Sequence, residues 1–154
     1  MAQNLIKITK QGLEKRQREL DELVNVKLPE ILDRLEEARS KGDLSENFEY
    51  TTARNDQYQT EMRIAQLKNI IQNHQIIKSK DIKIRFVETG RERLFHVVGS
   101  IDANTEEQQI SEECPLCKAL KGKKPNPDEE ITYISESGKR VTIVFLEEKE
   151  SLWL

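Results

Sequence analysis

Apolar positions along the first third of the chain repeat at helical spacing. From Leu13 to Ala38 they are Leu13, Leu20, Val24, Leu28, Ile31, Leu35 and Ala38, and from Leu20 onward the steps are 4, 4, 3, 4 and 3 residues. That rhythm is the seam of a coiled-coil helix. The positions between are mostly Glu, Asp, Lys, Arg and Gln, good helix formers on a solvated face. Thr9 is the expected N-cap, with Gly12 tolerated early in the helix. Pro29 lies inside the run. It has no N–H to donate and its ring crowds the preceding turn, so the helix is expected to kink or break there. Residues 44–77 carry a second, noisier helical pattern. Tyr58, Met62 and Ala65 form one possible seam; Ile64, Leu67, Ile71 and His74 form another. Ser45 is the expected N-cap of this arm, which places Glu46 in a first turn where the helix dipole favours a carboxylate. Gly42 breaks the helix between the arms, so the two are predicted to fold back antiparallel. An arm of about 25–30 residues, at about 1.5 Å each, reaches about 40 Å. Two such helices have little core of their own, so the hairpin supplies reach and rigidity.

Beyond Ser79 the pattern changes to alternation. Ile82 to Val87 reads as a strand, Glu88-Thr-Gly-Arg91 as a turn, and Leu94 to Val98 as a second strand. Pro115 to Lys121 reads as a short helix with proline near its first position, stopped by Gly122. Ile131 to Ile134 and Val141 to Leu146 flank Glu136-Ser-Gly-Lys139, a hairpin signal. The reading is an α+β protein: an antiparallel helical hairpin over residues 1–78, then a small sheet-plus-helix domain over residues 79–154, with the boundary near 77–81. No internal repeat or low-complexity segment stands out.

Charge narrows the function. The 154 residues are 34% charged with a net charge of -3. Residues 1–80 hold 14 basic against 13 acidic side chains, and residues 81–154 hold 11 against 15. The strong basicity of a general nucleic-acid binder is absent, which leaves room only for a local basic patch. No apolar run approaches the roughly 18 residues that span a bilayer. The N-terminus lacks a signal-peptide pattern, and two cysteines make no disulfide scaffold. These features fit a cytoplasmic protein without a membrane partner.

The turn between the arms, Arg39 to Tyr50, carries Asp43, Glu46 and Glu49. Asp43 and Glu46 are three apart and can converge on one point. Two carboxylates are the usual protein share of a magnesium site; acids also favour helix N-termini for their own sake. Arg34, Arg39, Lys41, Arg54 and Arg63 lie along the arms. Arg39 and Arg54 bracket the tip, either as phosphate-binding forks or as partners of nearby acids. Cys114-Pro-Leu-Cys117 has the spacing of half a zinc site or a redox pair, but there is no second cysteine pair and the context is a late short helix. Lys121-Gly-Lys-Lys124 lacks the spacing of a phosphate loop. His74 and His96 read as packing residues.

Ala38-Arg-Ser-Lys-Gly-Asp-Leu-Ser-Glu-Asn-Phe-Glu-Tyr50 closely resembles the signature of the bacterial Gre transcript-cleavage factors, in its GreA-like form, with Leu44. Thr9 to Leu13, Lys27 to Ile31 and Glu113 to Lys123 resemble further family segments in order, so the likeness covers nearly the whole chain. It implies an N-terminal antiparallel coiled coil and a C-terminal FKBP-like domain that binds RNA polymerase. It implies that the hairpin enters the secondary channel, where Asp43 and Glu46 help hold a second Mg2+ and orient the water that cuts backtracked RNA. Arg39 and Arg54 match positions that contact the 3' end of the extruded RNA. The polymerase is then the nuclease, the factor completes its site, and no small-molecule substrate is involved. Phe48 replaces a residue that is usually small. Cys114 stands where Ser is common, and Cys117 where Ala or Gly is, which fits dispensable thiols. An FKBP-like fold does not imply prolyl isomerase activity.

Two other functions compete. A channel binder of the same fold that inhibits polymerase without cleavage would carry extra acids in place of Asp-Leu-Ser-Glu-Asn. A plain coiled-coil scaffold would tolerate any substitution at the tip.

Overall fold

The computed structural model describes residues 4–42 and 47–151. The chain divides into a hairpin unit, Leu13–Asn73, and a sheet unit made of the residues up to Gly12 together with those from His74 onward.

In the hairpin, α1 (Lys10–Glu22) passes through one π-helical turn, Leu23–Lys27, into α2 (Leu28–Ser40). Pro29 explains the turn. An α-helix would ask residue 29 for an N–H it does not have and would press its ring on the carbonyl of Asn25. The wider turn shifts the ladder by one residue: the Leu28 N–H donates to the Leu23 carbonyl. Pro29 then sits in the first turn of α2, where no N–H is needed. The expected interruption is met by a change of helix type, from α to π and back. At the other end Thr9 caps α1, its hydroxyl oxygen accepting from the Gly12 N–H at 3.1 Å.

Helix α3 (Phe48–Gln72) returns along α2. Its buried residues are Ala53, Thr60, Ile64 and Leu67, at steps of 7, 4 and 3, opposite Ile31, Leu35 and Ala38 of α2. Of the two seams expected for this arm, the one through Ile64 and Leu67 packs. The one through Tyr58 and Met62 faces solvent, Tyr58 being 61% exposed. The packed seam runs on toward the tip through small residues, Ala53 and Thr60, which hydropathy alone does not mark. His74 lies beyond the end of α3 and opens a strand.

The sequence places residues 1–78 in one unit; the structure divides them otherwise. Strand β1 (Ile6–Ile8) pairs in parallel with β2 (His74–Ile76), Ile6 against His74 and Ile8 against Ile76. These backbone bonds tie the first residues to the chain that leaves the hairpin. Ile8 is fully buried, and a Cβ on Gly99 would collide with the carbonyl of Lys7, so the glycine permits a close approach of two backbones.

The rest of this unit is a five-stranded sheet in the order β5-β4-β3-β7-β6. The strands are β3 (Lys80–Phe86), β4 (Glu92–Val98), β5 (Gln109–Ser111), β6 (Glu130–Ile134) and β7 (Arg140–Glu150). Only the β4–β5 pair is parallel; the other three pairings are antiparallel. Alternate residues Ile82 and Ile84 join Val97, Ile131, Ile143 and Phe145 in the core, covered by Leu116 and Leu120 of α4 (Pro115–Leu120). The fold class is the expected α+β. No helix among the described residues is long and apolar enough to cross a membrane.

Candidate functional site at the hairpin tip

Helix α2 ends at Ser40, and Gly42 leaves it with φ of 129°, a conformation that residues with side chains rarely adopt. Helix α3 begins at Phe48, capped by Asn47. Asp43, Leu44, Ser45 and Glu46, among them the two expected catalytic and metal-binding carboxylates, lie outside the described residues. The cap expected at Ser45 belongs to Asn47 instead. Its side-chain oxygen accepts from the Tyr50 N–H at 3.1 Å, and its side-chain amide donates to the Ala38 carbonyl at 2.7 Å. One residue thus satisfies a donor at the start of α3 and an acceptor at the end of α2. The first-turn acid of α3 is Glu49.

The basic residues along the arms separate into two sets. Arg34 pairs with Asp56 at 2.9 Å, Lys41 with Glu49 at 3.1 Å, and Arg63 with Glu19 through two bonds of 2.7 and 2.9 Å. Each pair joins one arm to the other. The hydrogen bond to Glu49 holds the Lys41 ammonium above the ordinary lysine range, with the charges of Glu49 and Glu37 adding to it. Arg39 does something else: its guanidinium carbon lies 5.9 Å from the centre of the Tyr50 ring, within cation–π range. Arg54 is exposed and, among the described residues, makes no ion pair.

Arg39 and Arg54 also share a side of the hairpin. Ala38 and Ala53 are both buried in the seam, and each arginine follows one of them by a single position. A step of about 100° in the same rotational sense, taken on helices that run in opposite directions, leads to the same side of the pair. Tyr50, three residues before Ala53, lies on that side as well. The Arg34–Asp56 and Lys41–Glu49 pairs occupy the opposite side. There a shallow groove of about 440 Å3 runs past Arg34, Lys41, Glu49 and Thr52 to Phe48, which is 86% exposed. Among the described residues flanking the tip, ion-paired charge and an apolar ring lie on one side and an arginine–tyrosine–arginine row on the other. Sequence reasoning brought Arg39 and Arg54 together but missed Tyr50 and Asn47. The signal for Asn47 was its position, with a helix-capping residue type immediately before a helix-period segment.

Comparison with known proteins is consistent along the whole chain. The N-terminal model of the GreA/GreB transcription elongation factors matches residues 6–76, and the GreA/GreB C-terminal model matches residues 71–148. Transcription elongation factor GreA of Acholeplasma laidlawii is 39% identical, the match covering 79% of this chain and 84% of that protein. The protein of the same name from Mycoplasmoides gallisepticum is 36% identical over 88% and 92%, and that from Bacillus velezensis 37% over 86% and 89%. A crystal structure of GreA factor homolog 1 from Thermus thermophilus overlaps 95% of this chain and 99% of its own, at 19% identity and a TM-score of 0.44. That last likeness is too weak to carry an argument.

Proposed function

The chain belongs to the GreA/GreB family of transcription elongation factors, and from that membership we propose that it stimulates cleavage of backtracked RNA by RNA polymerase. In this reading the sheet unit docks on the polymerase and the hairpin tip enters the secondary channel. Asp43 and Glu46 bring two carboxylates to the polymerase active site, and Arg39 and Arg54 hold phosphates of the extruded RNA 3' end. The protein is an accessory factor, and the bond is broken in a site that it completes.

The donor set suits magnesium. The ion takes one or two carboxylates and fills its remaining positions with water and substrate phosphate. In this reading the remaining ligands are supplied by the polymerase and the RNA. A second magnesium between such ligands stabilises the attacking and leaving oxygens of a phosphodiester. The chain's own task is placement. The two acids lie in sequence between helices that interhelix ion pairs brace and that Asn47 links at their ends.

The observation that supports this reading best is the sidedness of the tip. Arg39 and Arg54 stand together on one face, clear of the carboxylates that neutralise Arg34, Lys41 and Arg63. Cations that form no ion pair among the described residues, and that flank in sequence the segment carrying the two acids, suit the positioning of an RNA end beside a metal. The test is a polymerase halted in a backtracked state, followed with and without the protein. Accelerated release of a 3' RNA fragment, requiring polymerase, supports the reading. Binding to polymerase with slowed synthesis and no acceleration of cleavage would replace it with the inhibitory function.

A further inference from the structure

Cys114 and Cys117 stand at the start of α4, outside everything the tip accounts for, and both are free and half-buried. Cys114 is the N-cap residue, and its sulfur accepts the N–H of Cys117 at 3.4 Å. Residues three apart around one helical turn have α-carbons about 5 Å apart. That lies inside the range of about 4.4–6.8 Å that a disulfide spans. Cys117 lines a small surface pocket of about 150 Å3 together with Lys80, Lys121, Gly122 and Glu148, and Cys114 is itself only half-buried. Zinc is not the natural occupant, because no third His, Cys, Asp or Glu among the described residues is placed to complete a site.

We propose that Cys114 and Cys117 form a thiol–disulfide exchange site, with Cys114 as the attacking thiolate and Cys117 as the resolving thiol, and a low-molecular-weight disulfide as co-reactant. The asymmetry is built into the turn. Donation from the Cys117 thiol, with help from the backbone N–H groups of Cys117 and Leu116, brings the Cys114 thiol down to about 6 against the opposing effect of burial. The hydrogen bond to Cys114, and then burial, push the Cys117 thiol up. The thiolate is the nucleophile in such exchange, so near neutral pH one member of the pair is armed and the other waits.

The steps balance. The Cys114 thiolate attacks one sulfur of the small disulfide RSSR, forms a mixed disulfide and expels RS⁻. Cys117 then gives its proton to a departing thiolate and attacks the Cys114 sulfur. The Cys114–Cys117 bond forms and the second RS⁻ leaves. The protein loses two electrons and two protons, and one RSSR becomes two RSH. Excess dithiol reverses the sequence. Closing the bond turns the Cys114 sulfur from a thiolate, a strong acceptor for the Cys117 N–H, into a weaker disulfide acceptor, so the cap of α4, whose Leu116 and Leu120 cover the sheet, weakens with oxidation.

The test uses the full reduced protein with glutathione disulfide near neutral pH. Intact mass should fall by two hydrogens, peptide mapping should place the bond between Cys114 and Cys117, and dithiothreitol should restore the starting mass. Cys117→Ser should instead accumulate one glutathionyl group on Cys114. Cys114→Ser should react on the order of tenfold more slowly. The double variant Cys114→Ser, Cys117→Ala should keep its circular dichroism spectrum and take up nothing. A wild-type protein that stays reduced overturns the proposal, as do equal rates for the two single variants, or a bound equivalent of zinc in place of a disulfide. The wild-type mass measurement decides even if a variant fails to fold. The readout involves no polymerase, so its failure leaves the cleavage function standing.

Discussion

The side-chain amide of Asn47 donates to the backbone carbonyl of Ala38 across the hairpin, at 2.7 Å. The same side chain caps α3 by accepting from Tyr50. Asn47→Ala removes both bonds and leaves an acceptor at the end of α2 and a donor at the start of α3 without these partners. The expected cost is about 1–2 kcal/mol, concentrated at the tip. Asn47→Asp separates the two contacts, because a carboxylate caps a helix but has no N–H for Ala38. Hydrogen exchange read by mass spectrometry should show Tyr50 unprotected in the alanine variant and protected in the aspartate variant. Equal protection of Tyr50 in wild type and Asn47→Ala would remove Asn47 from the tip's framework.

The ion pairs along the arms should contribute modestly. Glu19 accepts two bonds from the Arg63 guanidinium, and this hydrogen bond holds its carboxyl below the ordinary glutamate value near 4.5. A depressed folded-state value means that stability is gained above the unfolded value and lost as pH falls through the folded one. Both side chains are more than a third exposed, so solvent screening limits the pair to about 0.2–1 kcal/mol. Glu19→Gln should be less stable than wild type by that amount at neutral pH in urea titrations. The gap should close below about pH 4.5 and shrink with added salt. A gap that persists in acid would mean that packing, and not charge, is what the substitution disturbs.

The hairpin and the sheet were legible in the sequence where the physics is local. A period of 3.5 named Ile31, Leu35 and Ala38, and alternation named Ile82 and Ile84, because burial selects apolar side chains at fixed spacing. The misses have physical causes too. Thr60 is 4% exposed yet polar, and Ala53 is small. A seam made of such residues allows close helix approach without a hydropathy signal, whereas the more apolar Tyr58 and Met62 drew attention to the wrong face. Strands β1 and β2 are three residues each and exist through each other, at a separation of 68 positions that no local pattern reports. Asp81 is buried in a strand because His96, its cross-strand partner, brings Nδ1 to 2.6 Å of its carboxylate. At the tip, the spacing of Asp43 and Glu46 left a metal-binding pair and ordinary helix-start acids both open, and both residues lie outside the described ones. That Arg39 and Arg54 share a side follows from the antiparallel pairing of Ala38 and Ala53, which depends on knowing which residues form the seam.

Sidedness gives the arginines a distinct signature. Arg54→Ala should leave thermal stability unchanged, since its side chain makes no ion pair among the described residues. Arg39→Ala loses its contact with Tyr50 and should cost about 0.5–1 kcal/mol. In the cleavage assay both should raise the factor concentration needed and flatten its salt dependence, because phosphate contacts release counterions. Neither should lower the rate at saturating factor. Arg34→Ala breaks a structural pair on the opposite side and should leave the salt dependence as it was. If Arg34→Ala and Arg54→Ala behave alike, the two-faced reading of the tip is wrong.

Asp43 and Glu46 should separate binding from chemistry. Both lie in sequence between α2 and α3, whose ends Asn47 links and whose shared seam is packed, so removing either charge should leave folding intact. Docking should survive as well, if the sheet unit makes the main contact with polymerase. What should be lost is the hold on the second metal and on the attacking water. Losing a ligand that acts only in the transition state costs on the order of 100-fold in rate, or about 2.7 kcal/mol. Asp43→Asn and Glu46→Gln keep size and polarity while removing charge. Each should compete with unmodified protein for polymerase and stimulate cleavage poorly. The double variant should fall little further than either single one, because two ligands of one ion act as a unit. Raising magnesium should partly restore the single variants and not the double. The protein without polymerase should leave labelled RNA intact under the same conditions, since two carboxylates alone do not make a nuclease site. Normal cleavage by both single variants at saturating factor would transfer the chemistry away from the tip. The hairpin would then act as an obstacle in the channel or as a scaffold.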